Sequence, residues 1–366
     1  MRTRFIILAV VLQVLVLGYM AGEREWVVRF GRPVLLRTAP IDPNDPMRGY
    51  YARFNYDISS VPSSLWRDKL PGKLANNAND YRAGRDLRVY AALELDDSGV
   101  AELVSLSDRP PVNGLYLKGR INSVGGQRAS VRYGIEALFM QQGESQKLED
   151  ARRTERPGAP IDAEIAVSSS GLAVLKGYHW EPLGISATFE RAAIAPPGTA
   201  PTPAVPAYGT PRARPQTLPQ RQFIVTAKVE LKNYGPEDVA IVDLPDGGSF
   251  RLLPDARGQE IRYHWTGENQ SSVKPEAAHV IILKPGQSHV TTIDLTQPRW
   301  FVTDAKAKAD KQKPMPLREI TEAWSASFRL EYAPPDKAAA AALPHADLIG
   351  HGKLLSRAFN PTQGMD

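Results

Sequence analysis

Two short blocks hold the residue types that could do chemistry. The first contains Asp42, Asp45, Arg48, Gly49, Tyr51 and Tyr56. Arginine offers a planar fork for carboxylate or phosphate groups, and aromatic side chains supply contact area, so the block fits a ligand- or partner-binding surface. A structural reading stands beside it. Aspartate before proline caps a turn, Arg48 pairs with a carboxylate, and the tyrosines fill a pleated face. The second block, Arg132, Tyr133, Gly134 and Glu136, carries one specific expectation: Glu136 pairs with Arg48 and clamps the two blocks together.

Other chemistries find less support. The chain of 366 residues has no cysteine, which removes disulfides, thiolate metal sites and a cysteine nucleophile. Its histidines show no helical metal-ligand spacing. His279 and His289 sit where one hairpin would bring them together, but isolated surface imidazoles are the expectation. Ser168–Ser169–Ser170–Gly171 lacks the pattern of a nucleophile elbow and reads as a hairpin tip. No catalytic residue, metal or cofactor is therefore expected. The net charge of +5 comes from interspersed charges of both signs, without a basic stripe, so no nucleic-acid partner is expected.

The elements that must position these residues begin with an apolar run from Phe5 to Ala21, interrupted only by Gln13. As a helix it spans about 25 Å, slightly short of a hydrocarbon core, and flanking residues cover the difference. Arg2 and Arg4 precede it, whereas Glu23, Arg24 and Glu25 follow, so the N-terminus is expected in the cytoplasm and the bulk outside. Tyr19 and Met20 occupy positions where signal-peptide cleavage wants small residues, which favours a retained anchor. Gly31–Arg32–Pro33 ends the helix.

Beyond it, alternation and turn signals predict strands over 34–38, 49–59, 88–95, 100–106, 115–121, 128–139, 163–167 and 172–176. Short helical stretches are expected at 65–70 and 144–153. A proline-rich run, 192–220, has no periodic apolar face and reads as a tether. After it, turn signals recur about every ten residues, the spacing of an immunoglobulin-like sandwich. The fold expected is mainly β: a transmembrane anchor (1–24), a β-rich domain with short helices (25–191), a linker (192–220) and an Ig-like β-sandwich (221–366).

The segment Arg37–Ser59, RTAPIDPNDPMRGYYARFNYDIS, resembles the GDYXXLXY family of bacterial membrane-anchored proteins. Gly49, Tyr51 and Tyr56 match its motif, while Tyr50 replaces the aspartate and Phe54 the leucine. Later blocks support the resemblance: Leu117–Arg120, Val131–Glu136, Phe139, Gly143–Glu144, Leu148–Glu149 and Ala173–Gly177. The resemblance covers about residues 5–180. It implies one N-terminal membrane helix, a mostly β domain, no established activity, and company with a multi-pass membrane protein. The expected function is then a non-enzymatic accessory subunit or partner-binding module at the periplasmic face of the inner membrane, held in the lipid bilayer by its helix. Two alternatives stay open. One is an envelope hydrolase using a carboxylate pair from Asp42, Asp45, Asp57 and Glu136; the other is a sensor of a small ligand.

Overall fold

The apolar start of the chain becomes one long helix. In the computed structural model the described residues are 2–39, 51–75, 84–125, 128–139, 143–193, 222–255, 261–267, 273–307, 312–320 and 326–362. Helix α1 (Arg2–Phe30) contains a segment, Arg4–Phe30, that is long and apolar enough to cross a membrane. Its large apolar residues from Phe5 to Met20 are exposed and face all directions, so no protein core covers them among the described residues. The helix stops as expected at Gly31, whose N–H donates to the Val27 carbonyl at 2.8 Å. Near this end Val27 is buried, and α1 packs on the strands described next.

The N-terminal half contains β1 (Arg32–Ala39), β2 (Tyr51–Arg53), β3 (Asn55–Tyr56), β4 (Ser60–Pro62), α2 (Leu70–Ala75), β5 (Arg88–Leu95), β6 (Ala101–Ser107), β7 (Leu115–Gly125), β8 (Arg128–Arg132), β9 (Ala137–Phe139), α3 (Glu144–Asp150), β10 (Ile161–Val167) and β11 (Ala173–Trp180). One sheet has the order β11-β10-β1-β3 and another β4-β8-β7-β5-β6, with β2 and β9 paired separately. Their inward residues, among them Leu36, Tyr56, Val89, Leu117, Ile121 and Ile165, share one core. Alternation explains the selection: Val34, Leu36 and Thr38 of β1 point inward, while Arg37 points to the other face.

The C-terminal half contains β12 (Leu183–Ala193), β13 (Gln222–Asn233), β14 (Val239–Val242), β15 (Phe250–Pro254), β16 (Tyr263–Trp265), β17 (Val280–Leu283), β18 (Ser288–Asp294), β19 (Val302–Asp304), β20 (Phe328–Tyr332), α4 (Lys337–Ala340) and β21 (Leu354–Leu355). The sheet β12-β13-β18 and the sheet β15-β20-β21 contribute to a second core around Trp300, Phe250, Phe328, Tyr332 and Phe359. Strand β12 pairs along its length with β13, and its Leu183, Ile185 and Ala187 enter this second core, although the expected division at residue 191 places them in the first half.

Local expectations shift where turns interrupt a pattern. The alternation over 49–59 suggests one strand, but β3 ends at Tyr56 and Asp57–Ser59 form a 3-10 turn. Phe54, Tyr56 and Ile58 nevertheless all turn inward. The single strand expected over 128–139 is split into β8 and β9 by a turn at Gly134, whose φ of 80° suits glycine. The helical turn expected at 65–70 forms later, as α2, where Leu70 and Leu74 lie four apart on one face and are fully buried.

Candidate functional site

The two sequence blocks meet through backbone and hydroxyl hydrogen bonds. The backbone N–H of Phe54 donates to the Glu136 carbonyl at 2.8 Å. The Tyr56 hydroxyl donates to the Ile135 carbonyl at 2.6 Å, and the Tyr133 hydroxyl donates to the Ile58 carbonyl at 2.8 Å. Each tyrosine thus crosses to the other block's backbone. Burial, with the nearby Glu136 charge second, raises both phenol pKa values, so both remain donors. The Glu136 carboxylate accepts from the N–H of Tyr133 (2.5 Å) and of Gly134 (3.0 Å), closing the turn between β8 and β9.

Glu136 is therefore a turn cap with both oxygens engaged by its own loop. Arg48, its expected partner, lies outside the described residues, as do Asp42, Asp45 and Gly49. Tyr51 is placed by its backbone in β2, opposite Phe139. Arg132 points outward to Asp86 at 3.0 Å, in an exposed pair of small energetic worth. Glu136→Gln is expected to cost about 1–2 kcal/mol, because an amide nitrogen would face an N–H donor. Tyr56→Phe is expected to cost about 1–3 kcal/mol by leaving a buried carbonyl unpaired. Urea unfolding of each variant measures both; unchanged midpoints would remove the lock.

A second cluster is made by register. In the sheet β11-β10-β1, Arg37 stands opposite Asp162, and Asp162 stands opposite His179. Facing residues on adjacent strands lie side by side, so three strands place these side chains in one row. The Arg37 fork grips Asp162 at 2.5 and 3.1 Å, and Asp162 is wholly buried. Glu181, just past β11 and tied by its N–H to the Pro160 carbonyl at 3.0 Å, lies 3.7 Å from Arg37 and 3.9 Å from His179. Burial lowers the Arg37 pKa, but Asp162, with Glu181 and Asp57, more than reverses this, so the guanidinium stays charged. Burial, then the hydrogen bond to Asp162 and its charge, push the Glu181 carboxyl up to about 8 despite Arg37.

Residues 13–177 match the model of the GDYXXLXY protein family. This part of the chain is similar to the GDYXXLXY family. Comparison with curated proteins and with solved structures gives no match. The GDYXXLXY region begins inside α1 and ends within β11, so it contains Arg37, Asp162 and the tyrosine lock, whereas His179 and Glu181 fall just beyond it.

The Arg37 row is also where the GDYXXLXY region meets the C-terminal half. Arg37 donates to the Lys353 carbonyl at 2.7 Å, Lys353 pairs with Glu102, and the Lys337 N–H donates to Asp97 at 3.1 Å. Asp162, His179 and Glu181 offer ligand atoms within 4.8 Å of one another, a donor set that could hold a cation. Arg37, however, already sits on the buried carboxylate and neutralises it. The arrangement is an ion-pair network joining two halves. None of its residues appears among the sequence candidates. The only sequence signal was that Arg37 occupies the outward face of an otherwise apolar strand. The rings of His279 and His289 have other partners: His279 receives the Glu276 N–H at 3.1 Å, and His289 bonds Asp243 at 2.8 Å.

Proposed function

We propose that this protein is a non-enzymatic, membrane-anchored binding module, with α1 retained in the inner membrane and the β-rich bulk on the periplasmic side. The observation that carries this reading is the use made of the polar side chains within the family region. Tyr56, Tyr133 and Glu136 are spent on backbone hydrogen bonds, and Arg37 is spent on Asp162. These groups build a rigid body instead of facing a substrate. The surface offered to a partner is the outer edge of β18, the last strand in its sheet among the described residues, where Val290 is 53% exposed. An open edge with an apolar residue suits strand addition by another polypeptide. The partner is a membrane protein of the same complex. The C-terminal half acts as an immunoglobulin-like recognition unit held against the anchored domain.

Membrane topology tests the placement. In right-side-out vesicles, added protease is expected to remove a C-terminal tag, and a fragment bearing α1 is expected to survive alkaline washing. A protein released by the wash, with an N-terminus beyond Ala21, would overturn the anchor. One observation favours hydrolase chemistry as a second reading: Glu181, with its raised pKa, adjoins the buried Asp162, a pairing that suits a general acid. Glycan or peptidoglycan hydrolysis abolished by Glu181→Gln would support that reading; turnover by neither form would dismiss it.

A further inference from the structure

A groove of about 590 Å³ opens where α1 joins the β domain. One wall is the last turns of the helix, including Tyr19, Glu23 and Trp26; the other is built from Arg32, Tyr116 and the Ser168–Ser170 hairpin tip. We infer that this groove binds the headgroup of an amine-bearing zwitterionic phospholipid. The inference rests on α1 being a retained anchor.

Position argues first for lipid. Counted from Arg4, a hydrocarbon layer of roughly 30 Å takes about 20 helical residues and ends near Arg24. Tyr19 then lies at the top of the acyl-chain region, and the stretch from Glu23 to Arg32 crosses the headgroup layer. The groove is thus continuous with the lipid-facing surface of the helix. Tyr19 and Trp26, both well exposed, are the aromatic types that settle at that boundary. Two residues before Gly114 on the opposite wall, Val112 is 96% exposed in a loop containing Pro110 and Pro111. A fully exposed valine beside the groove fits shallow insertion between lipids.

Charge argues for the headgroup. The groove has one acidic lining residue, Glu23, and one basic, Arg32, and neither makes an ion pair among the described residues. Arg32 suits the phosphate, Glu23 the ammonium. An anionic headgroup without an amine would satisfy only Arg32. The far wall is held firmly. The Tyr116 hydroxyl donates to the Ser169 carbonyl at 3.2 Å, and the Lys118 N–H donates to the Gly171 carbonyl at 2.8 Å. Gly171 has φ of 77°, and a Cβ there would sit 2.4 Å from the Tyr116 ring, so the tip lies flush on β7. The Ser168 and Ser170 hydroxyls bond one another at 3.0 Å.

The test uses the full-length protein in nanodiscs of phosphatidylethanolamine and phosphatidylglycerol in equal amounts. Photoreactive benzoylphenylalanine replaces Ser169 in one sample and Leu12 in another. The Ser169 probe is expected to capture phosphatidylethanolamine in preference, while the Leu12 probe captures both lipids alike. Arg32→Gln is expected to lower capture at 169 about tenfold, and Glu23→Gln to abolish the preference. Lipid capture at Leu12 with none at 169, or equal capture of both lipids at 169, would overturn the headgroup site alone. Capture at neither position would show that α1 does not lie in the bilayer, and the anchor reading would fall with it. In native membranes, a 169 cross-link to a polypeptide instead of lipid would assign the groove to a partner helix and overturn the lipid site.

Discussion

Arg37→Met is expected to lower unfolding stability by about 3–5 kcal/mol, the largest effect of any single substitution considered. The cost comes from what remains behind. Asp162 is fully buried and receives both arms of the Arg37 fork, so losing the guanidinium leaves a carboxylate with no counter-ion in a low-dielectric site. A variant that also replaces the acid, Arg37→Met with Asp162→Leu, is expected to recover most of the loss, because a buried ion pair is worth little against an apolar pair of similar size. The bond from Arg37 to the Lys353 carbonyl adds a spatial signature. Amide exchange at residues 351–355 should speed up in the single variant more than exchange within β7. Urea unfolding in detergent, followed by tryptophan fluorescence, gives the stabilities. A single variant within 1 kcal/mol of wild type, or a double variant no better than the single, would contradict the network described.

The second large effect is on pH dependence. The folded Glu181 carboxyl titrates near 8, well above the ordinary value of 4.5, chiefly through burial and then through Asp162. Between these values the folded protein holds a proton that the unfolded chain has released. The contribution to stability is therefore fully present below about pH 4.5 and is lost as pH rises through the folded value. Asp57 acts in the same sense over a lower window, its pKa raised by burial to about 6 against the pull of Arg37 and Arg329. Because Asp57 retains accessible surface, water reduces its share. Wild type should lose stability from pH 6 to pH 8, and Glu181→Gln should flatten that slope. The variant is expected to exceed wild type by on the order of 2 kcal/mol near pH 8.5, with no gain near pH 4. The groups facing Glu181 are Arg37, Asp162, His179 and Asp96. A wild-type slope unaffected by Glu181→Gln would show that another group carries it.

What the sequence revealed follows the range of the interaction. The N-terminal helix was legible because a continuous apolar run, long enough to cross a membrane, needs no partner to be recognised. The β10–β11 hairpin was legible because Gly171 marks its tip locally. The tyrosine blocks could be picked out as a pair, but not their bonds. Nothing in an alternating pattern shows that Tyr56 reaches the Ile135 carbonyl, or that Glu136 caps its own turn. The Arg37–Asp162–His179 row was invisible for a stricter reason. It depends on the register of β1 against the β10–β11 hairpin, which lies far along the sequence, and a shift of one residue would send Arg37 to the core face. The proline-rich run gave no local sign of which core the strand before it would join. It joins two strands that pair with each other, Ala193 standing opposite Gln222, so β12 belongs with the core that follows it.

The binding-module reading is tested most directly by what leaves the membrane with the protein. Full-length, tagged protein would be extracted in several mild detergents and the co-purifying polypeptides quantified. A second membrane polypeptide is expected in equal stoichiometry with wild type. It should be lost from Val290→Lys, a change at an exposed edge position that leaves the unfolding midpoint in place. Recovery of the protein alone from every detergent, or a partner held equally well by Val290→Lys, would contradict a module that recruits its partner through the edge of β18.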